Sequence, residues 1–459
     1  MPSCSKPRHG STGNTTNQPG VCPDLHRTRE HLLALLRMDP GEIGFAGVQT
    51  ISSTEWEELL RTATLHGVSP LLYHRLGTAR TSAGLPPKVL LELRRSYLHS
   101  SAQNMNLYNR LGTLLMRLQQ DGIPVIPLKG AHLAEVVYGN RALRPMNDVD
   151  LLVHEKDVLR VETALLEIGF FPTECHRQIT TDNYNFDYRL PDKELFVEVH
   201  WNLFSSGDRF RTDMSGQWAR AGRATIAGVE VAVLCPEDLL VYLCLHTSKH
   251  LFETGIKPVC DIHETIRYYG QDMNWDQIRI LCGQAGIANA VYLSLLISVV
   301  LMGTKVPMGL LKAIKPDDFD DRYLAMAQER IFTAEQRNVN GIQLSPNIAS
   351  LCSSRSIFEK IGLFLSRAFP SRAEMSRQYP APPDSLRIYC YYPIRIRDLL
   401  LRHGRQTWRL VRQEEGMQRL AGQEAACTPL KEWLLATAAA AEGGMNGAWS
   451  QVLKSYFLG

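Results

Sequence analysis

Residues 147–153 read NDVDLLV, and this stretch decides how the rest of the chain is interpreted. Two aspartates alternate with apolar residues before the segment becomes wholly apolar, which is the pattern of a strand that starts at a polar edge and enters a core. Because side chains alternate faces along a strand, Asp148 and Asp150 are predicted to point to one side and Val149 and Leu151 to the other. The segment therefore presents two carboxylates on one face of a sheet.

The two carboxylates are predicted to share a cation. Negative charges held this close raise each other's pKa unless a cation lies between them. Mg²⁺ suits the position, since it takes a few carboxylate oxygens and completes its shell with water and substrate phosphate. The alternative is a solvated strand end or a cluster of helix-capping charges.

A later strand supplies a third acid. Residues 194–201 read ELFVEVHW, in which Phe196, Glu198 and His200 share one face. A carboxylate in the middle of an apolar strand is costly to bury unless it is paired or bound to a metal, so Glu198 is predicted to be the third ligand. His200 is interpreted as a residue that orients Glu198 or contacts a nucleotide, or else as a structural histidine.

Other candidate residues lie on both sides of these strands. A short apolar strand at residues 123–128 leads into Lys129 and Gly130, and Arg144 stands just before the aspartates. Farther along, a helix that opens at Pro236 carries His246, Lys249 and His250 on adjacent turns.

The helix at 236 is interpreted as facing the cleft, where its polar residues contact phosphate or base. The H-x-x-x-H spacing of His246 and His250 also permits zinc, but no glutamate follows the first histidine and no third ligand is apparent. Asp261 and His263 are near the start of the next helix, where a capping charge is at least as good an interpretation as a role in the cleft.

The flanking segments predict helices. Periodic apolar residues fill 24–121, where Thr54 and Glu57 form a predicted capping box. The chain is accordingly divided into a disordered tail at 1–23, a helical N-terminal region at 24–121, a core at 122–235, a helical domain at 236–380 and a basic helical C-terminal region at 381–459.

Composition and charge exclude several classes of protein. A net charge of +3 is too small to predict a general nucleic-acid or membrane binder. The ten cysteines contain no C-x-x-C pair, and no secretory signal precedes residue 23, so a cytoplasmic protein is expected. The apolar run at 290–302 is shorter than the roughly 20 residues of a membrane span and is predicted to be a buried helix.

A basic segment lies near the C-terminus. Residues 386–413 contain seven arginines and one acid, with aromatic residues between them. Such a segment can bind RNA, an acidic lipid surface or an acidic protein partner, although a solvated amphipathic helix is the preferred interpretation.

Taken together, these motifs resemble a known family. Residues 128–131 (LKGA), Arg144 with 147–153, residues 197–201 (VEVHW) and residues 236–240 (PEDLL) followed by His246 are similar to the uncharacterised bacterial nucleotidyltransferases of the polymerase-beta-like superfamily. The resemblance covers roughly residues 120 to 285. It implies an α+β fold, in which a small mixed sheet is flanked by N-terminal and C-terminal helical regions.

The resemblance also implies site roles and a reaction. Asp148, Asp150 and Glu198 are implied to be the catalytic residues and the ligands of Mg²⁺, and the backbone of Gly130 is implied to approach the triphosphate. The implied reaction moves a nucleotide, expected to be AMP from ATP, onto a hydroxyl of an acceptor that is a small molecule, peptide or protein. The alternative is a non-catalytic regulatory protein that binds a nucleotide with the same fold.

The sequence departs from the superfamily at the phosphate site. Ala131 replaces the usual serine or glycine after Gly130, so Lys129 and Arg144 are predicted to supply positive charge to the phosphates. The nucleotide-binding set also includes His200, His246 and Lys249. The alternative is a solvated Lys129 and a structural ion pair of Arg144 with Asp148 or Glu155.

Overall fold

The computed structural model describes residues 23–37, 50–77, 85–173, 184–191, 195–204, 214–285, 287–340, 384–397 and 426–440, with short pieces between 365 and 382. These residues form a small mixed sheet with helices on both sides of it in the chain, which confirms the expected α+β class. The predicted tail, up to residue 22, and residues 398–413 of the basic segment lie outside the described residues.

Helices make up the described chain before the sheet. They are α1 (Pro23–Arg37), α2 (Ser53–Leu65), α3 (Ser69–Leu76) and α4 (Pro87–Gln120). The capping box of α2 lies on Ser52 and Glu55, two residues before the predicted pair. Both pairs fit the motif, and the backbone amides of Ser52 and Glu55 donate to each other's side chains over 2.8 and 3.3 Å.

One sheet contains strands that are far apart in the sequence. They are β1 (Val125–Pro127), β2 (Asp148–Val153), β3 (Phe171–Pro172), β4 (Asn185–Arg189) and β5 (Phe196–His200), in the order β1-β2-β5-β4-β3. The β2–β5 pair is parallel and the other pairs are antiparallel. β6 (Gly222–Ile226) and β7 (Val229–Val233) form a separate hairpin.

The two faces of the sheet have different environments. A short helix, α5 (Lys129–His132), follows β1, and α6 (Val158–Glu167) follows β2. Val149, Leu151 and Val197 are buried in a core with residues of α4 and of α6. Asp148, Asp150 and Glu198 alternate with them and point to the opposite face. Because one face is sealed by helices, the polar residues of these strands collect on the other.

Helices follow the sheet. They are α7 (Met214–Arg220), which precedes the hairpin, α8 (Pro236–Lys249), α9 (Lys257–Tyr269), α10 (Trp275–Ala285), α11 (Ala288–Met302), α12 (Met308–Ile314), α13 (Asp321–Asn340) and α14 (Thr428–Ala440). The apolar run at 290–302 lies in α11, and most of its residues are buried as predicted. No described helix is both long enough and apolar enough to cross a membrane.

The first and last helical parts share one hydrophobic core. Leu36 of α1 and Leu72 of α3 belong to the same buried cluster as Leu239 of α8, Ile262 of α9 and Leu293 of α11. Non-local packing of this kind is not visible in helical periodicity. The division of the chain at 121/122, 235/236 and 380/381 stays a prediction.

A buried ion pair fastens α9 to the N-terminal helices. Arg75 of α3 binds Glu264 of α9, and the two side chains are 1% and 3% exposed. Arg267 also reaches Glu264, over 3.0 Å. Removing one partner of a buried pair leaves the other charge without compensation. The orientation of α9 therefore depends on Glu264.

We expect Glu264→Gln to lower the free energy of unfolding by about 3–5 kcal/mol, measured by denaturant titration, because Arg75 then remains buried without its counterion. Glu58→Gln is the control, since its ion pair with Arg61 has side chains 31% and 42% exposed. Loss of such a surface pair costs about 0–1 kcal/mol. Equal effects of the two substitutions would contradict a special role for Glu264.

Candidate active site

The three predicted acids lie together on one wall of a cavity. The register of β2 and β5 places Asp150 directly beside Glu198. One ligand atom each from Asp150, Glu198 and His200 lies within 4.8 Å of the others. Asp148 stands two residues earlier on the same face and lines the same cavity. The structure thus brings the predicted trio together and adds His200 to the cluster.

Pairing of β1 with β2 determines the position of Lys129. The amide of Leu128 donates to the carbonyl oxygen of Asp150 over 2.9 Å, so the next residue emerges beside that aspartate. Lys129 has a φ of +37°, in a region that residues other than glycine seldom adopt. Its ammonium donates to Oδ1 of Asp150 over 3.0 Å. The alternative of a solvated Lys129 is wrong, because its side chain is only 16% exposed.

The two aspartates of β2 have opposite electrostatic environments. Burial raises the pKa of Asp150, but Lys129 and His200 outweigh burial and hold this pKa well below its ordinary value. Desolvation in the cavity, followed by repulsion from Asp150, raises the pKa of Asp148. The prediction that each aspartate raises the pKa of the other is therefore wrong for Asp150, because Lys129 and His200 contact this carboxylate.

His200 connects the acids of the two strands. Its Nε2 lies 3.0 Å from Oδ1 of Asp150 and 3.3 Å from Oε2 of Glu198. Burial lowers the pKa of His200, but hydrogen bonds with the two carboxylates outweigh it and raise the pKa. An Nε2–H of His200 can donate to both acids at once, and this is the geometry that an orienting role requires.

Gly130 is buried where a side chain has no room. A Cβ at this position would lie 2.6 Å from Sδ of Met146 and 2.7 Å from Nη1 of Arg144. Contacts below 3.0 Å are too short for carbon, so a larger residue would displace one of these side chains. Glycine at 130 therefore allows Arg144 to pack against the turn that follows β1.

Arg144 makes a buried bidentate ion pair with Asp261 of α9. Its Nε and Nη2 each donate to a carboxylate oxygen of Asp261 over 2.8 Å. Tyr138 donates to the same carboxylate over 2.9 Å. The alternative pairing with Asp148 or Glu155 is wrong, as is the interpretation of Asp261 as a capping charge. The true partner is 117 positions away, so only tertiary packing brings it near.

The far part of the cavity is aromatic. Nζ of Lys249 donates to the hydroxyl of Tyr184 over 3.0 Å and lies 4.5 Å from the centre of that ring. The rings of His246 and His250 meet edge to face at 4.6 Å. Among the described residues, these two histidines belong to no group of three metal-ligating side chains. Their arrangement is that of a polar, aromatic wall.

All nine residues predicted for catalysis, metal binding or nucleotide binding line one cavity of about 520 Å³. This volume is typical of a small-molecule site. The sequence missed Tyr184, Tyr242 and Lys257, which line the same cavity. A signal for Lys257 existed in its place just before Pro258, which marks the start of a helix, but nothing local indicated which side of the helix faces the sheet.

The acids fit a divalent cation. Lys129 and His200 both contact Oδ1 of Asp150, so the contacts of the described residues leave Oδ2 for a metal. Asp148 and Glu198 add carboxylate oxygens to the same wall. Carboxylate oxygens are the protein ligands that Mg²⁺ prefers. A cation here would also relieve the repulsion that raises the pKa of Asp148.

Comparison with known proteins adds one finding. A sequence model of a family described as uncharacterised nucleotidyltransferase matches residues 52–303, which is more than half of the chain. No curated protein and no solved structure matches the chain. The matched range contains every residue of the acidic cluster and its cationic neighbours. The chain belongs to the uncharacterised nucleotidyltransferase family.

Proposed function

We propose that this protein is a Mg²⁺-dependent nucleotidyltransferase that moves AMP from ATP onto a hydroxyl of an acceptor. The observation that carries the proposal is the convergence of Asp148, Asp150 and Glu198 on one wall of a cavity that also contains Lys129 and Arg144. Carboxylates for metals and cations for phosphates are the two requirements of nucleotidyl transfer, which needs no nucleophilic side chain.

The three acids would hold the metal. Bound Mg²⁺ supplies charge to neutralise the phosphates and to favour the alkoxide form of the acceptor hydroxyl. Glu198 is proposed to face the acceptor hydroxyl, and His200 is proposed to keep Glu198 in position through its 3.3 Å contact.

The cations and the aromatic wall would bind the nucleotide. Lys129 is proposed to contact the phosphates, since its ammonium already lies at the acidic wall. Arg144 uses Nε and Nη2 for Asp261, so its remaining Nη1, beside Gly130, is the part proposed to face phosphate. His246 and Lys249 are proposed to contact the base or sugar beside Tyr184.

A second candidate is a regulatory protein that binds a nucleotide without catalysis. The observation that favours it is the occupation of Oδ1 of Asp150 by Lys129 and His200. Lys129 neutralises the acid without a metal, and His200 contacts the same oxygen. If they also exclude the metal, nucleotide binding remains and transfer does not.

Label transfer separates the two candidates. The protein is incubated with Mg²⁺, a cell lysate and each of the four labelled NTPs in turn, with the label on the α-phosphate. Transfer is expected from ATP to a lysate component, and Glu198→Gln should abolish it. Nucleotide binding without transfer from any NTP, together with no effect of Mg²⁺, would support the regulatory candidate.

Asp148→Asn and Asp150→Asn are both expected to abolish transfer but to change thermal stability in opposite directions. In metal-free buffer at neutral pH, Asp148→Asn should raise the Tm by about 1–2 °C, because it removes a charge that its surroundings oppose. Asp150→Asn should lower the Tm, because Lys129 then lacks its carboxylate, at a cost of about 3–5 kcal/mol for a broken buried pair.

The pH dependence of the same variants provides a check. The pKa of Asp150 is depressed, so its contribution to stability is present at neutral pH and is lost as the pH falls through the depressed value. The pKa of Asp148 is raised, so its destabilising effect disappears as the pH falls through the raised value. Equal Tm shifts for both variants across the acidic range would contradict this assignment.

Lys129→Met is expected to weaken ATP binding by about ten- to a hundredfold, because a charge-assisted contact contributes about 1.5–3 kcal/mol. Lys156→Met, at an exposed position in the turn after β2, is the control and should leave ATP affinity unchanged. Arg144→Ala should weaken binding and also destabilise the fold by about 3–5 kcal/mol, because Asp261 loses its buried partner. Titration calorimetry and denaturant unfolding measure the two effects, and ATP affinity unchanged in Lys129→Met would exclude its phosphate role.

A further inference from the structure

Lys257 is a cation in the cavity whose charge is poorly compensated. It is the first residue of α9 and lines the cavity with Asp148 and Arg144. Among the described residues, its ammonium donates to the carbonyl oxygen of Pro145 over 3.3 Å. An ammonium has three donors, and this one long contact to a neutral acceptor uses one of them.

The charges around Lys257 explain why its own charge is only partly compensated. The charge of Arg144 acts on Lys257, and the bidentate pair of Arg144 with Asp261 commits that carboxylate to another cation. Desolvation and then the charge of Arg144 lower the pKa of Lys257, and Asp261 and Asp148 only partly oppose this. An anion that enters the cavity would supply the charge that the protein itself does not.

The start of α9 favours an anion independently of the side chain. Lys257 and Pro258 line the cavity, so the first turn of this helix faces it. The residue before the helix, Ile256, offers no side chain to cap the first turn. A helix N-terminus carries partial positive charge, which adds to the ammonium.

Lys257 and Lys249 belong to different parts of the cavity. The charges that act on Lys257 are those of Arg144, Asp261, Asp148 and Lys129, which form the ionic part. Lys249 instead contacts the rings of Tyr184 and Phe204, at 4.5 and 5.8 Å. The first environment suits phosphates and the second suits a base or sugar.

We propose that Lys257 binds the β- and γ-phosphates of the nucleotide, beside a metal held by Asp148. This inference rests on the proposed function and adds a residue to it. Lys257 then provides the phosphate charge that Arg144, already paired with Asp261, supplies only in part. Binding of the triphosphate would place negative charge beside the ammonium of Lys257, whose charged form is disfavoured by burial and by Arg144.

Comparison of ATP, ADP and AMP tests this assignment. Affinities are measured by titration calorimetry in Mg²⁺ for the full chain and for Lys257→Met, which keeps the aliphatic stem. Lys257→Met should weaken ATP binding by about ten- to a hundredfold and leave AMP binding nearly unchanged. Lys249→Met is the matched control and should weaken all three nucleotides by a similar factor. A Lys257 variant that retains the wild-type ratio of ATP to AMP affinity overturns the proposal.

Thermal unfolding of the variant separates a phosphate role from a structural one. Lys257→Met should have an unchanged or higher Tm, because it removes a charge that is poorly solvated in the folded protein. A lower Tm together with equal losses for all three nucleotides would assign Lys257 to the structure instead. Lys257→Gln, which keeps a donor for the Pro145 carbonyl oxygen, repeats the affinity comparison if Lys257→Met does not fold.

Failure of the proposed function has a different signature. A wild-type protein that binds ATP no more tightly than AMP has no triphosphate site, whatever the variants do. A wild-type protein that prefers ATP, with the same preference in Lys257→Met and Lys257→Gln, leaves the proposed function intact and removes Lys257 from it.

Discussion

Neutralisation of the buried carboxylate of Asp150 is the constraint on which the site depends. Taking a carboxylate out of water is costly unless charged partners replace its hydration. Lys129 and His200 do so by contacting the same oxygen, Oδ1. The ammonium reaches it because β1 pairs with β2 and Lys129 accepts a positive φ, and the imidazole reaches it because β5 runs parallel beside β2. The strand order, the positive φ of Lys129 and the position of His200 therefore all help to stabilise the charge of Asp150.

The position of helix α9 also determines the geometry of the site, and two buried ion pairs stabilise that position. Asp261 fastens it to Arg144 at the cavity, and Glu264, one turn later, fastens it to Arg75 of α3. Both pairs are buried, so each is sensitive to loss of a single partner. Because the same helix begins with Lys257, the ion pairs that determine its orientation also determine where that ammonium lies. The N-terminal helices thereby influence the cavity without lining it.

The charges of the cavity fall into two classes. Asp150 and Arg144 are paired, and their environment stabilises their charged forms. The environment of Asp148 and Lys257 disfavours their charged forms. Desolvation and like charges raise the pKa of Asp148 and lower the pKa of Lys257. Paired charges hold the architecture. Incompletely compensated charges of opposite sign, such as Asp148 and Lys257, are typical of positions where a ligand completes the electrostatics, and a metal bound to a polyphosphate carries both complementary charges.

The sequence by itself determined the two acidic strands and the buried helix at 288–302, because strand alternation and helical periodicity are local properties of the chain. The resemblance of its motifs to a known family implied the fold class and, with those patterns, led to nine of the residues that line the cavity. It did not determine the partners of those residues. The capping box moved by two positions because two overlapping motifs satisfy the same local rule. The pairing of Arg144 with Asp261, the opposite electrostatic environments of Asp148 and Asp150, and the presence of Lys257 were decided only by the tertiary structure. Each depends on which helix face packs against the sheet, and Coulomb interactions and desolvation depend on distances in space rather than on separation along the chain.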